Sequence, residues 1–140
     1  MTILDTNVLS EVMATSPSQA ALDWVSNRRL VDPICTTTIS VAEILYGVEL
    51  LPPGKRRSRL SSEAEAMFAE DFAGQILLFD EAAARSFSKI AAERRRQGRP
   101  IAELDAQIAA IAYSHGASLA TRNTSDFEGC GVRLFNPWLD

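Results

Sequence analysis

Four acidic residues stand where apolar runs give way to helical spacing: Asp5, Glu43, Asp105 and Asp126. Asp5 ends the apolar run Thr2 to Leu4. Glu43 follows Ser40 by three residues, the spacing of a capping box with a hydroxyl at the N-cap and a carboxylate in the first helical turn. Asp105 comes just after Pro100-Ile101-Ala102, and Asp126 just past Thr121-Arg122-Asn123. Taken one at a time, Glu43, Asp105 and Asp126 fit helix ends, where backbone amides and the helix dipole favour carboxylates. Asp5 is different, because a solitary carboxylate ending an apolar strand is costly to bury without a partner. If the four meet in one partly desolvated cleft they repel strongly, and a cation has to sit among them. A single histidine and two distant cysteines exclude a zinc site of nitrogen and sulfur ligands. Oxygen ligands alone suit Mg2+ or Mn2+, and the chemistry such a site serves is hydrolytic phosphoryl transfer on a phosphodiester.

Whether the acids meet depends on the elements around them. Short apolar runs suited to buried strands occur at Thr2 to Leu4, Ile34 to Thr38, Ile76 to Phe79, Ser118 to Thr121 and Val132 to Phe135. Between them lie five helical patterns, marked by Ala21, Leu22 and Val25, by Val41, Ile44, Leu45 and Val48, by Leu60, Ala64, Met67 and Phe68, by Ala83, Phe87, Ile90 and Ala91, and by Leu104, Ile108, Ile111 and Ala112. After Asp5-Thr6-Asn7 a further helix is expected to begin at Val8-Leu9. Pro52-Pro53-Gly54 reads as a turn between two helices. Strands alternating with helices predict a three-layer α/β/α domain over residues 1–140, with a central, mostly parallel sheet of about five strands. In such a sheet every strand-to-helix junction lies at one edge, where ligands gather, so the acids are expected together.

With 140 residues, 46% hydrophobic, the chain suits one ordinary domain. No basic leader and no stretch of roughly 20 apolar residues is present, which predicts neither secretion nor a membrane span. Cys35 and Cys130 are expected to be reduced thiols in a cytoplasmic protein. The net charge of -4 disfavours a dedicated DNA-binding module. Eight of the 14 cations nevertheless lie in two runs, Lys55, Arg56, Arg57 and Arg59, then Arg94, Arg95, Arg96 and Arg99. They are either phosphate-holding patches or solvated helix faces.

Four motifs carry a family resemblance: Ile3-Leu4-Asp5-Thr6-Asn7, Ser40 to Gly47 around Glu43, Glu103 to Ala110 around Asp105, and Ala120 to Phe127 ahead of Asn136-Pro137-Trp138. In this order the chain resembles, over nearly its whole length, PIN-domain ribonucleases of the VapC type, nearest the FitB-like branch. The resemblance implies the toxin of a type II toxin–antitoxin pair. Such a protein is a Mg2+-dependent endoribonuclease and a dimer, held inactive by a small DNA-binding antitoxin through which it reaches DNA. Asp5, Glu43 and Asp105 match the family's three core acids. Where the family often has a fourth, this chain has Asn123, leaving Asp126 as the nearest carboxylate. Thr6, Asn7, Thr121 and Asn123 are then expected to orient ligands or waters. The remaining alternatives are a catalytically silent PIN-like interaction module and a small Mg2+-dependent α/β phosphohydrolase. His115, before Gly116, fits a helix C-terminus rather than a general base. Tyr46, Tyr113, Trp24 and Trp138 are expected in the core or a subunit interface rather than as base-stacking platforms.

Overall fold

Strand β1 (Thr2–Leu4) alternates its side chains between two apolar layers, and that alternation organises the chain. Ile3 packs with Ile90, Ile108, Ile111 and Leu119 on one side of the sheet. Leu4 packs with Val8, Leu9, Val25, Ile44 and Phe68 on the other. Ile3 and Leu4 are at most 1% exposed, and removing such a side chain from water contributes about 1.5–3 kcal/mol. The computed structural model describes residues 1–140.

The elements follow as α1 (Thr6–Met13), α2 (Gln19–Val31), β2 (Ile34–Thr37), α3 (Thr38–Glu49), α4 (Lys55–Ala66), β3 (Ile76–Leu77), α5 (Glu81–Arg96), α6 (Glu103–Ser114), β4 (Ser118–Ala120), α7 (Thr124–Phe127) and β5 (Leu134–Phe135). The five strands run parallel in the order β3-β2-β1-β4-β5, with Thr2 opposite Ile34 and Leu4 opposite Ala120. Helices α1 to α4 cover one face and α5 with α6 the other, the three-layer arrangement expected. Ala83, Ala109, Ala110 and Ala112 are fully buried, and their small side chains let α5 and α6 approach closely. Strand order reverses beside β1, since the chain first adds β2 and β3 on one side and later β4 and β5 on the other. In parallel sheets that reversal leaves a crevice beyond the strands' carboxyl ends, here those of β1 and β4.

Some boundaries differ from expectation. Helix α1 begins at Thr6, two residues before Val8, because Asp5 caps it. Strand β2 stops at Thr37, and Thr38 already opens α3. The third helical pattern ends in a wide π-type turn, Met67–Asp71. One-turn helix α7 had no apolar periodicity to announce it. Pro52-Pro53-Gly54 joins α3 to α4 as expected. His115 closes α6, its N–H donating to Ile111 O at 3.2 Å. Both cysteines are buried and unpaired. No helix is long and apolar enough to cross a membrane. Trp24 and Trp138 pack against the cluster around Leu4, whereas Tyr46 and Tyr113 are 65% and 54% exposed and stay outside the core.

Candidate active site

Strand β1 delivers Asp5 to the crevice. Its backbone N–H donates to Ala120 O of β4 at 3.1 Å, and its Oδ1 accepts the Val8 N–H at 3.0 Å. Asp5 therefore both ends a strand and caps a helix. It is 4% exposed. Burial pushes its pKa up from an ordinary 3.8 to about 6; the Thr121 hydroxyl and the N–H groups of Val8 and Asn7 pull it back, while the Asp105 charge raises it further. Thr121, fully buried just after β4, also accepts the Asn123 N–H at 3.1 Å.

The capping box expected around Ser40 is not formed. Thr37 is the N-cap of α3, its hydroxyl accepting the Ser40 N–H at 3.1 Å. Because the helix starts three residues earlier than the capping box required, Glu43 sits in the second turn, with no backbone amide to satisfy. Its Oε1 instead accepts the Thr6 hydroxyl at 2.8 Å, and the Thr6 oxygen lies 3.0 Å from the buried Ser40 hydroxyl. Thr6 thereby links the start of α1 to α3.

Asp105 lies in the first turn of α6, as expected. Burial raises its pKa, and the charges of Asp126 and Glu43 raise it further. Together with its effect on Asp5, this makes Asp105 the hub: the other three acids each stand within its electrostatic reach. Asp126, in α7, is exposed. None of the four acids takes part in any of the protein's ion pairs. As they stand, no three acidic, histidine or cysteine side chains are close enough together to hold a metal ion between them. Asn7 offers its backbone N–H to Asp5 while its side chain is exposed. Asn123 caps α7 without a side-chain capping bond and is also exposed.

A cleft of about 460 Å³ runs from Thr6 and Glu43, between α1 and α3, to Arg56 and Arg59 of α4. Two members of the first basic run, Arg56 and Arg59, thus line a cleft with Glu43, which Asp5, Asp105 and Asp126 do not line. Arg57 pairs with Glu49, and Arg59 lies 3.8 Å from Glu63; Lys55 and Arg56 have no acidic partner. The second run divides. Arg95 and Arg96 are exposed, but Arg94 is 4% exposed and cannot reach a phosphate. Helical spacing held the signal, since Ala83, Phe87, Ile90 and Arg94 recur every three or four residues and share one face of α5.

The chain matches the PIN domain family model over residues 2–129. It is 38% identical over 138 residues to the VapC ribonuclease Y4jK of Sinorhizobium fredii, covering 99% of this chain and 98% of that one. It is 39% identical over 140 residues to the toxin FitB of Neisseria gonorrhoeae, covering both chains completely. Among solved structures, that of FitAcB from Neisseria gonorrhoeae superposes with a TM-score of 0.92 at 38% identity, again over the whole of both chains.

Proposed function

The chain belongs to the PIN-domain family, and we propose that it is a divalent-metal-dependent endoribonuclease, the toxin of a type II toxin–antitoxin pair. One observation supports this reading: Asp5, Glu43, Asp105 and Asp126 lie along the strand-to-helix edge beside β1, Asp105 feels or exerts the charge of each of the other three, and none of the four enters an ion pair with a lysine, arginine or histidine. Such a cluster fits a hard cation. All of its donors are oxygen, which favours Mg2+ or Mn2+. Its open arrangement suits an ion that keeps several waters.

Asp5, Glu43 and Asp105 would hold the metal, with Asp126 joining through a water. When bound, the ion supplies an activated water and neutralises charge developing on the phosphodiester. The chain's own residues do the positioning. Thr6 fixes the Glu43 carboxylate, while Thr121 and the first amides of α1 fix Asp5. Asn7 and Asn123 lie at the solvent edge, where they can orient waters or a substrate phosphate. Arg56, unpaired on the cleft that Glu43 shares, is placed to hold a neighbouring phosphate of the RNA strand. The reading includes a homodimer inhibited by a small DNA-binding antitoxin, with DNA reached only through that partner.

The test is cleavage of RNA with Mg2+ or Mn2+, with EDTA, and with Asp5→Asn and Asp105→Asn. Metal-dependent cleavage lost in both folded variants is expected. Full activity in EDTA would overturn the mechanism, and turnover of small phosphate esters in place of RNA would favour the phosphohydrolase reading.

A further inference from the structure

Arg94 is the one cation the fold buries, and no carboxylate pairs with it. Its Nε donates to Arg99 O at 2.8 Å; its Nη1 donates to Asp126 O at 2.8 Å and to Glu128 O at 3.0 Å, and lies 3.6 Å from Cys130 Sγ. A guanidinium removed from water without a counter-charge is costly, and apolar packing could close this end of the fold at less cost. What a guanidinium provides is a rigid fork with several donors in one plane. Here the fork spans three segments. One is α5 itself, the second is the turn through Arg99 that leads into α6 and Asp105, and the third is the stretch from Asp126 to Cys130. Helix α7 is four residues long, too short to hold itself. Exposed Asp126 gains no fixed place from packing of its own side chain. Two of the three carbonyls that Arg94 holds, those of Asp126 and Glu128, flank Phe127, which is 2% exposed.

We propose that Arg94 is a positioning residue: by clamping the main chain at Asp126 and Glu128 to the turn at Arg99, it sets the separation of the Asp126 and Asp105 carboxylates. This rests on the metal-site reading above. Arg99 adds an exposed strap on the outside, donating to Ser125 O at 3.2 Å.

The experiment measures Mn2+ affinity by calorimetry and amide hydrogen exchange in the wild type, Arg94→Lys, Asp126→Asn and the double variant. Val25→Ala serves as a control destabilised in the opposite apolar layer. Lysine keeps the charge but cannot span the three carbonyls. Arg94→Lys is expected to weaken Mn2+ binding about tenfold, the scale seen when groups that orient metal ligands are removed, and to change it little once Asp126 is already Asn. Exchange should rise at residues 124–130 and 99–105 but not in β1, and Val25→Ala should leave Mn2+ binding unchanged. Wild-type affinity in Arg94→Lys, or an equal loss with and without Asp126, overturns the proposal. If the wild type binds no Mn2+, the metal-site reading fails and exchange alone decides: a rise confined to those two segments sustains the clamp, and a uniform rise overturns it. If Arg94→Lys does not fold, exchange of the wild-type Asp126 and Cys130 amides decides. Protection equal to that of β1 supports the clamp, and local opening refutes it.

Discussion

The buried charge of Asp5 should leave a mark on stability that needs no substrate, and Asp5→Asn isolates it. Asparagine ranks with aspartate as an N-cap, so its Oδ1 can keep the Val8 N–H while the charge is lost. In the fold, the Asp5 pKa rises from 3.8 to about 6, mainly through burial. The neutral form is therefore favoured by folding. Between about pH 4 and pH 6 the native state binds more protons than the unfolded chain, so stability falls as pH rises through that window, and the whole penalty is present above it. Each tenfold change in acidity is worth about 1.4 kcal/mol, which makes the penalty about 3 kcal/mol at pH 8. For a chain of this length that is about 10 °C in melting temperature. In EDTA at pH 8, Asp5→Asn should melt above the wild type by an amount of that order; at pH 4.5 the gap should shrink to about a third, and near pH 3 it should close. A divalent cation at a hundredfold excess over its dissociation constant stabilises the wild type by about 2.7 kcal/mol and should erase most of the gap, with little effect on the variant. A variant melting at or below the wild type in EDTA at pH 8, or a gap independent of pH, would show that Asp5 is an ordinary cap whose buried charge the fold does not penalise.

Further perturbations separate the roles of neighbouring residues. Thr37→Ala should cost about 1 kcal/mol in denaturant melts through loss of the α3 cap, while Glu43→Gln should leave those melts nearly unchanged and abolish RNA cleavage. Arg56→Gln should weaken RNA binding and reduce the slope of log affinity against log salt by about 0.7, the value for one phosphate contact on a single strand, as read by filter binding. Asp32 behaves oppositely to Asp5. Burial alone would raise its pKa, but hydrogen bonds from the Met1 ammonium, Thr2 and Arg28 outweigh it and hold it at about 2. Its contribution is present above about pH 4 and lost as pH falls through 2, so Asp32→Asn should destabilise by about 1–2 kcal/mol at pH 7 and by almost nothing at pH 2. A loss that persisted at pH 2 would assign Asp32 a role other than charge pairing.

All five strands could be read from the sequence because each is a short apolar run, fully buried in β1 and β2 and half-buried in the edge strands β3 and β5, a pattern that depends on composition alone. The junction acids could be read for the same reason, since a parallel sheet sends every strand into its next helix at one edge. What escaped were features set by single hydrogen bonds. Ser40 with Glu43 has the spacing of a capping box, and nothing local distinguishes it from Thr37 capping the same helix three residues earlier; Thr36-Thr37-Thr38-Ile39-Ser40 offers four hydroxyls in five residues. Helix α7 is fixed from outside by Arg94, so its own residues carry no periodic trace. Arg94 itself was hidden by its neighbours, because Arg95, Arg96 and Arg99 make the run look uniformly solvated. Only its spacing from Ile90 shows that it turns inward.

The location of Asp5 settles a conflict between folding and binding. A carboxylate buried to this degree with no hydrogen bonds would have its pKa pushed further up, and at neutral pH the crevice would hold a proton where it needs a charge. Fixing it outright with a lysine or arginine would restore the charge but fill the place proposed for the metal. The N-cap of α1 avoids both outcomes. The Val8 and Asn7 amides and the Thr121 hydroxyl restrain the rise to about 6, so the carboxylate is ionised at pH 7 and still faces the other acids without a partner. Binding of Mn2+ must then compete with a proton at Asp5 only in acid. Its affinity should be level above about pH 7 and decline below about 6, approaching tenfold per pH unit as the carboxylate becomes protonated. Thr121→Val removes one hydrogen bond that favours the charged form. In that variant the whole decline should move to higher pH, while Thr6→Val, which touches Glu43 and not Asp5, should leave its midpoint in place. An unmoved midpoint in Thr121→Val would mean that Asp5 does not set the protonation of the site.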